Sequence, residues 1–505
     1  MARLPAEGDG ATRAPDPGAA NSPPARPADL TPGVAGHIAL RLDSPAMRSS
    51  RKRPNVIIAF ADQWRQQACG YAGNPAVHTP NLDRLAEQSI NFVNAVAGCP
   101  VCSPYRASLM TGQFPLTHGV FVNDVYLSNR AVSLAQAFAR GGYDTAYIGK
   151  WHLDGHGRSS YIPPQRRQGF QYFKALECTH DYNHSAYYAG DCPRKLYWKG
   201  YDAIAQTRDA IDYIRHQDRS RPFLLVLSWG PPHNPYQTAP AKYRALYEPE
   251  RIPLRPNVPE SAAQRARRDL AGYYAHCSAL DACVGELLAA LEKEGIAEQT
   301  IFLFTSDHGD MLGSHGLQRK QKPWAESVRV PFLLRWPAGL GRAGRQVEAL
   351  IDAPDIMPTL LGLSGLPIPE TVEGLDFSNY LRGGADPSDG SVLYACYHPF
   401  GEWCACPDAD ETDWSSGREC RGLLTPRYTY VRTLRGPWLL YDNQADPCQM
   451  TNLIGRPEVA ELQAQLDARL DAKLRAAGDE FRPGMEYIRH WGYPVDETGT
   501  VPHTK

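Results

Sequence analysis

The sequence predicts an α/β protein with a large mixed, mostly parallel sheet flanked by helices, and a small C-terminal α+β subdomain built on an antiparallel sheet. Four continuous apolar runs, rich in β-branched and aromatic residues, are typical of strands buried on both faces. The segments between them show helical periodicity, as at Leu280, Val284 and Leu287. Beyond about residue 385 the apolar runs become short, and a helical segment follows near residues 458–474, which indicates a small antiparallel sheet with a terminal helix.

Each of the four long runs ends in side chains that are capable of chemistry. The runs are residues 55–60, 143–149, 223–228 and 301–306. The polar residues that follow them are Asp62 and Gln63, Lys150 and His152, His233, and Asp307 and His308. Ligands of parallel sheets bind beyond the carboxyl ends of the strands, so we expect these side chains at one edge of the sheet. Any one of them fits an ordinary turn residue, but four such ends together predict a functional site.

Composition divides the chain into three parts. Residues 1–52 are rich in Pro, Ala, Gly and Arg without a hydrophobic period, and they are predicted to be a disordered extension. Residues 53–384 are predicted to form the large α/β domain, and residues 385–505 the C-terminal subdomain. With 505 residues, 43% of them hydrophobic, the chain is long enough for one large core and a smaller appendage.

Charge and hydropathy exclude several classes of partner. A net charge of -2 lacks the basic excess that is typical of nucleic-acid-binding proteins. No apolar segment predicts a membrane span or a secretory signal, so we expect a cytoplasmic protein. The twelve cysteines are scattered, and we expect most to be free thiols. Cys404 and Cys406, with a single residue between them, lack the usual spacing of zinc ligands.

A cysteine, a proline and an arginine stand in the pattern Cys-x-Pro-x-Arg at Cys102, Pro104 and Arg106. Pro104 fits the first turn of a helix, where its missing N–H has no helical partner, so we expect Cys102 and Ser103 just before the helix start. Free N–H groups and the helix dipole favour an anion there. Cys102, with Arg106 one turn along, is therefore a candidate for attacking or holding a tetrahedral anion.

Residues 98–112 resemble the maturation signature of the sulfatase family, in which this cysteine is oxidised after translation to formylglycine. Tyr105 departs from the family pattern, which has a small residue there. Residues 78–85, 142–152 and 306–331 resemble further segments of the same family. The resemblance implies an alkaline-phosphatase-like fold, with residues 53–384 as the catalytic domain. It also implies a partner, a formylglycine-generating or sulfatase-maturating enzyme.

A divalent metal ion is predicted at the strand ends. Asp62, Gln63, Asp307 and His308 offer mostly oxygen ligands and one imidazole. Oxygens suit calcium or magnesium, whereas the imidazole suits manganese or zinc, so the ligand types alone leave the metal open. The resemblance implies one calcium ion, also bound by the modified Cys102, with manganese and magnesium as alternatives. Asp-Gln and Asp-His are similar to one subgroup of the family, since other members carry Asp-Asp and Asp-Asn.

The chemistry of a sulfate ester requires charge neutralisation, a strong nucleophile and an acid for the leaving group. By resemblance, formylglycine at Cys102, hydrated to a geminal diol and bound to the metal, is the nucleophile that forms a covalent sulfate, and Arg106 steadies it. Lys150 and Lys320 bind the sulfate, and Lys322 is the alternative to Lys320.

Two histidines are implied to transfer protons. His233, fixed after the rigid Pro231-Pro232 pair, protonates the leaving alcohol. His152 takes a proton from the second hydroxyl as sulfate is expelled.

Substrate choice is less constrained. Residues 172–201 and 403–421 are candidates for a pocket rim that stacks on sugar or aryl rings, although ordinary surface loops fit equally well. We expect a sulfated carbohydrate first, and a small aryl or alkyl sulfate second. Two alternatives stay open: a phosphonate monoester or phosphodiester hydrolase on the same fold, and a non-enzymatic binder of sulfated ligands with unmodified Cys102. The histidines and Lys150 favour sulfate over phosphodiester hydrolysis.

Overall fold

The computed structural model describes residues 53–401 and 419–503. The predicted extension at residues 1–52 and most of the second rim candidate, residues 402–418, lie outside the described residues, and so do Cys404 and Cys406.

Ten strands form the large sheet. They are β1 (Asn55–Asp62), β2 (Ile90–Ala95), β3 (Asp144–Lys150), β4 (Tyr172–Leu176), β5 (Ala186–Ala189), β6 (Cys192–Tyr197), β7 (Phe223–Pro232), β8 (Thr300–Ser306), β9 (Phe332–Arg335) and β10 (Arg345–Ile351). Their order is β10-β2-β9-β8-β1-β7-β3-β4-β5-β6. The central strands β8, β1, β7, β3 and β4 run parallel, whereas β9, β5 and β6 pair antiparallel with their neighbours. The predicted mixed, mostly parallel sheet is confirmed.

Burial on both faces explains why the central strands read as continuous apolar runs. On β1, Val56 and Ile58 pack into one core, whereas Ile57 and Ala59 pack into the core on the opposite face. Successive side chains of a strand point to opposite faces, so a strand covered on both sides needs apolar residues at every position. Both layers are helical.

Thirteen α-helices accompany the sheets. They are α1 (Pro80–Ala86), α2 (Cys102–Thr111), α3 (Pro115–His118), α4 (Leu134–Arg140), α5 (Asp202–His216), α6 (Ala241–Arg244), α7 (Glu260–Lys293), α8 (Ala325–Val328), α9 (Pro337–Leu340), α10 (Ala353–Ser364), α11 (Ser378–Leu381), α12 (Ala460–Ala476) and α13 (Gly484–Trp491) within residues 53–401 and 419–503. Helices α2 and α10 cover one face of the sheet, and α7 covers the other with Leu280, Val284 and Leu287. Within the described ranges, no helix has the length and apolar composition needed to cross a bilayer.

A separate four-stranded antiparallel sheet follows, in the order β11 (Val392–Cys396), β12 (Cys420–Leu424), β13 (Tyr428–Thr433) and β14 (Gly436–Asp442). One face packs on α12 through Leu466, Leu470 and Leu474, and the other packs against residues of the large unit that include Met311 and Trp324. The small sheet and its helix are therefore confirmed. The ten cysteines among the described residues are free thiols.

Candidate active site

The polar ends of four strands converge, as the sequence predicts. Strands β8, β1, β7 and β3 are consecutive in the sheet, and all run in the same direction. Asp62 ends β1 and Lys150 ends β3, while His233 and Asp307 directly follow β7 and β8. These side chains are almost completely buried. The edge is thus a closed polar site above an apolar sheet.

Helix α2 places Cys102 at this edge. The expectation that Cys102 and Ser103 precede the helix is wrong, because Cys102 is its first residue and Val101 is the N-cap. Pro104 is tolerated two positions later than expected, since none of the first-turn N–H groups has a partner within the helix. The N–H of Ser103 donates to Asn123 Oδ1 at 2.9 Å, which satisfies one of these groups. The Cys102 side chain therefore lies at the positive end of the helix dipole.

Four buried side chains offer a compact set of metal ligands. One ligand atom each from Asp62, Cys102, Asp307 and His308 lies within 4.8 Å of the others. Cys102 Sγ is 3.2 Å from His308 Nε2 and 3.7 Å from Asp62 Oδ1. His308 Nδ1 lies 2.9 Å from the Gly309 carbonyl oxygen and must donate to it, so Nε2 keeps the lone pair that a metal needs.

Gln63 adds an amide oxygen to this set. Its backbone is left-handed, with φ of 72°, and its N–H donates to Asp307 Oδ1 at 2.9 Å. Its amide nitrogen donates to Asp310 Oδ2 at 2.7 Å, which leaves Oε1 facing the site, 3.2 Å from Lys320 Nζ. Two carboxylates, an amide oxygen and an imidazole form a donor set that fits one divalent cation. Asp310 was not identified from the sequence, because this residue supports the ligand Gln63 without directly following a strand.

Arg106 links the carboxylates of Asp62 and Asp307. Its guanidinium donates to Asp62 Oδ2 at 3.2 Å and to Asp307 Oδ2 at 3.0 and 3.2 Å. It also donates to the Lys150 carbonyl oxygen at 2.9 Å and to Ser228 Oγ at 2.7 Å. Every direction of the planar donor fork is therefore occupied, which fixes Arg106 rigidly. Ser228 was not identified from the sequence as a partner of Arg106.

Two lysines bring further positive charge. Lys150 Nζ lies 2.5 Å from Asp62 Oδ2, and Lys320 Nζ lies 3.3 Å from Cys102 Sγ. Both side chains are over nine-tenths buried. The structure places Lys320 at the centre of the site, whereas the backbone N–H of Lys322 bonds to Ser327 Oγ on α8. Of the two candidate lysines, Lys320 is the one in contact with Cys102.

His233 contacts Lys320 directly. Its Nδ1 lies 2.9 Å from the Asn234 carbonyl oxygen and must donate, so Nε2 accepts from Lys320 Nζ at 2.8 Å. The ring stacks on His180 at 4.5 Å between centroids. Tyr182 donates its hydroxyl to the His233 carbonyl oxygen at 2.9 Å. Part of the first rim candidate, residues 178–182, thus packs against the site.

His152 faces the site from the segment after β3. Its Nε2 lies 3.2 Å from Asp124 Oδ1, and Arg158 donates two hydrogen bonds to the same carboxylate at 2.8 and 2.7 Å. The carbonyl oxygen of His152 accepts from Ser103 Oγ at 2.8 Å, which ties it to the start of α2. Asp124 and Arg158 lie in loops without a strand-end signal, so the sequence pattern did not reveal them.

Neighbouring charges shift the pKa values of these buried groups in opposite directions. Burial alone would raise the pKa of Asp62, yet nearby cations, above all Lys150, hold it well below its ordinary value. Burial and then the charge of Asp62 raise the pKa of Asp307 to about 6. Burial and the charge of Lys320 lower the pKa of His233 well below its ordinary value. A divalent cation beside the two carboxylates would favour their ionised forms.

Comparisons with known proteins agree with this geometry. The sulfatase family profile matches residues 54–366, and that of the N-sulphoglucosamine sulphohydrolase C-terminal region matches residues 313–476. An ulvan-active sulfatase of Formosa agariphila is 45% identical over 445 residues, which cover 87% of this chain and 85% of the relative. An endo-4-O-sulfatase of Bacteroides thetaiotaomicron is 30% identical, with 80% and 88% covered. The crystal structure of a sulfatase from Bacteroides fragilis superposes with a TM-score of 0.75 at 30% identity, covering 88% of this chain and all of that one.

Proposed function

This chain belongs to the sulfatase family and hydrolyses sulfate esters, and from that premise we propose that its substrate is a sulfated carbohydrate and that Cys102 acts as formylglycine with one calcium ion. The observation that carries the proposal is the position of Cys102. Its Sγ lies at a helix start, within 3.3 Å of both His308 Nε2 and Lys320 Nζ. A nucleophile at this position lies next to a metal ligand, His308, and next to an anion-binding group, Lys320.

The cations of the site suit a bound sulfate ester. Arg106, Lys150 and Lys320 bring three cations to the site, and within the described ranges their ion pairs are with two carboxylates, Asp62 and Asp307. Fixed charges in a buried site stabilise an anionic transition state more strongly than charges in water. Lys150 and Lys320 are the groups that bind sulfate. Arg106 holds the carboxylates of Asp62 and Asp307 in place and steadies the nucleophile at position 102.

Asp62, Gln63, Asp307 and His308 fit a divalent cation, and the predominance of oxygen ligands favours calcium. When bound, the cation supplies positive charge for the nucleophile and the sulfate oxygens. The formylglycine at position 102, once formed by a maturation enzyme and hydrated to a geminal diol, would supply the hydroxyl nucleophile that cysteine lacks.

His233 and Lys320 form a hydrogen-bonded pair, which we assign to the leaving-group side of the site. In the free site the proton lies on Lys320 Nζ and on His233 Nδ1, as the hydrogen bonds to Nε2 and to the Asn234 carbonyl require. A bound sulfate ester adds negative charge between the two groups, which favours a proton on His233 Nε2. His233 then donates it to the departing alcohol oxygen.

A carbohydrate substrate is supported by the relatives and by the site's rim. The relatives described above are named for activity on ulvan and for endo-4-O-sulfatase activity. In the first rim candidate, residues 172–201, Tyr197 is about half exposed and stacks with His184 at 4.4 Å between ring centroids. An exposed aromatic pair of this kind suits stacking against a sugar ring. His180, which stacks on His233, connects the rim segment to the site.

The test is to compare three substrates with the matured protein: ulvan, a nitrophenyl sulfate and a bis(nitrophenyl) phosphate. We expect inorganic sulfate to be released from ulvan, and turnover of the phosphodiester to be far slower than that of the sulfate. A preference for the phosphodiester would instead support the phosphonate or phosphodiester hydrolase alternative. Binding of ulvan without any release of sulfate by matured protein would exclude the proposed substrate.

A further inference from the structure

The imidazole of His152 has a buried carboxylate partner outside the metal site. Asp124 Oδ1 lies 3.2 Å from His152 Nε2, and both side chains are at least nine-tenths buried. A carboxylate can only accept, so the proton of neutral His152 must lie on Nε2. The other ring nitrogen, Nδ1, is buried and has no partner at ordinary hydrogen-bond distance in the described ranges, although the imidazole also interacts with the Cys102 side chain.

Arg158 fixes the carboxylate that holds the imidazole. Its Nε and Nη2 donate to the two oxygens of Asp124 at 2.8 and 2.7 Å, a bidentate arrangement. Such a pair restricts the rotation of the carboxylate and also favours its ionised form. Burial opposes ionisation of Asp124, but the hydrogen bonds from Arg158 and His152 hold its pKa well below the ordinary value.

The loop that carries Asp124 also contacts the helix that carries Cys102. Asn123 Oδ1 accepts the N–H of Ser103, and Ser103 Oγ donates to the His152 carbonyl oxygen. The backbone of His152 is left-handed, with φ of 56°. Non-glycine residues adopt this conformation at an energetic cost, so the surrounding contacts must impose it. The relative position of Cys102 and His152 is therefore set by the loop at residues 123–124.

We propose that Asp124, clamped by Arg158, is a positioning residue that keeps the proton of His152 on Nε2 and leaves Nδ1 free to accept a proton from the group at position 102. This inference rests on the proposed function. The O–H bond of that group breaks as the N–H bond forms at Nδ1, its electron pair becomes the second carbon–oxygen bond of the aldehyde at position 102, and sulfate leaves with the electrons of its bond to the same carbon. The proton returns to solvent before the next turnover. Carboxylate, imidazole and reacting group then form a chain with the imidazole in one tautomer.

The test compares Asp124→Asn with Asp154→Asn, using nitrophenyl sulfate. Asp154 is a matched control because it is buried, lies two residues after His152 and pairs with Arg166 at 2.5 Å, without touching the imidazole. For Asp124→Asn we expect kcat to fall by roughly 10- to 10⁴-fold, a range that runs from loss of a carboxylate that orients a metal-bound histidine to loss of the tautomer-fixing carboxylate of a Ser-His-Asp triad. Because phenol release precedes the step that needs His152, kcat/KM should change far less, and KM should fall with kcat.

A second readout is independent of turnover. Acid-quenched Asp124→Asn protein should show an initial burst of nitrophenol and a sulfate retained on the peptide that contains residue 102, measured by mass spectrometry. Arg158→Gln leaves the carboxylate charged but unclamped, and we expect the same pattern with a smaller effect, which covers the case that Asp124→Asn does not fold.

Two results would overturn the inference. One is an equal fall in kcat and kcat/KM without a burst, which indicates a structural role. The other is behaviour of Asp124→Asn that matches Asp154→Asn. If wild-type protein carries only cysteine at position 102 and is fully active, the proposed function fails instead, so the two failures are distinguishable.

Discussion

Two buried arginines, Arg106 in the large sheet's site and Arg421 on β12 of the small sheet, are alike in burial and differ in what surrounds them. Both side chains are fully buried, and each lies over an aromatic ring, Phe60 at 4.7 Å and Tyr397 at 4.2 Å. Arg421 pairs with one carboxylate, Asp479, and its remaining donors bond to two backbone carbonyl oxygens. That cluster is electrically balanced.

The cluster around Arg106 is not balanced. Arg106 and Lys150 share two carboxylates, whereas the third cation, Lys320, has no carboxylate partner among its hydrogen bonds in the described residues. Burying unpaired charge is costly, so it persists where a ligand compensates it. The charge balance around each buried arginine thus distinguishes the structural ion pair of Arg421 from the anion-binding site of Arg106.

The largest contrast is expected between two buried cysteines, Cys102 and Cys420. Cys102→Ala removes the proposed nucleophile and should lower kcat by roughly 10⁶-fold, the scale on which loss of a covalent nucleophile acts. Cys420→Ala changes an equally buried thiol in the small sheet and should leave kcat nearly unchanged. Sulfate release and thermal unfolding of both variants test this. Comparable activity of the two variants would contradict the assignment of the nucleophile to position 102.

The next effect depends on the leaving group. His233→Ala should lower the rate on an alkyl or sugar sulfate by about 10²- to 10⁴-fold, the usual contribution of a general acid. A nitrophenyl sulfate, whose leaving group needs little protonation, should lose much less. The measurement is kcat/KM for both substrates with the same preparation. An equal loss on both would reassign His233 to sulfate binding and make Lys320 the candidate acid.

The two arginines should separate in stability and activity. Arg421→Met leaves Asp479 buried without its partner and should lower the free energy of unfolding by about 3–5 kcal/mol. The folded fraction should keep its kcat. Arg106→Met should instead abolish activity in folded protein. Denaturant unfolding paired with kinetics measures both, and an inactive but fully folded Arg421→Met protein would contradict the structural role given to Arg421.

The smallest effect concerns the metal. Exhaustive chelation should lower the free energy of unfolding by about 3 kcal/mol, the stabilisation expected at 100 times the Kd, because the folded protein then loses the binding energy of the divalent cation. Calcium should restore stability and activity better than magnesium or manganese. Unfolding curves with each ion test this, and a curve insensitive to chelation, with no metal in the active protein, would argue against the site.

The central strands and their polar ends could be predicted because their signals are local. The runs that became β1, β3, β7 and β8 are continuous, and each is followed at once by its functional side chain. Strands β2 and β10, at one edge of the sheet, were not predicted: β2 is buried but its apolar run is interrupted by Asn91 and Asn94, and the first half of β10 is mostly exposed.

Supporting residues could not be read from the sequence. Asp124, Asp310 and Ser228 act on ligands or arginines that lie far away in the chain, and no spacing rule connects them. The start of α2 was misplaced because proline is compatible with any position of the first turn. The roles carried over by resemblance stay predictions until the measurements above are made.

The most direct test of the account is peptide mass spectrometry over Cys102 in a preparation with measured sulfatase activity. We expect the peptide that contains residues 102–106 to carry formylglycine, and the active fraction to rise in proportion to its share. Coexpression with a formylglycine-generating enzyme should raise both together. A fully active preparation whose peptide contains only unmodified cysteine would contradict the central claim that position 102 supplies the nucleophile as formylglycine.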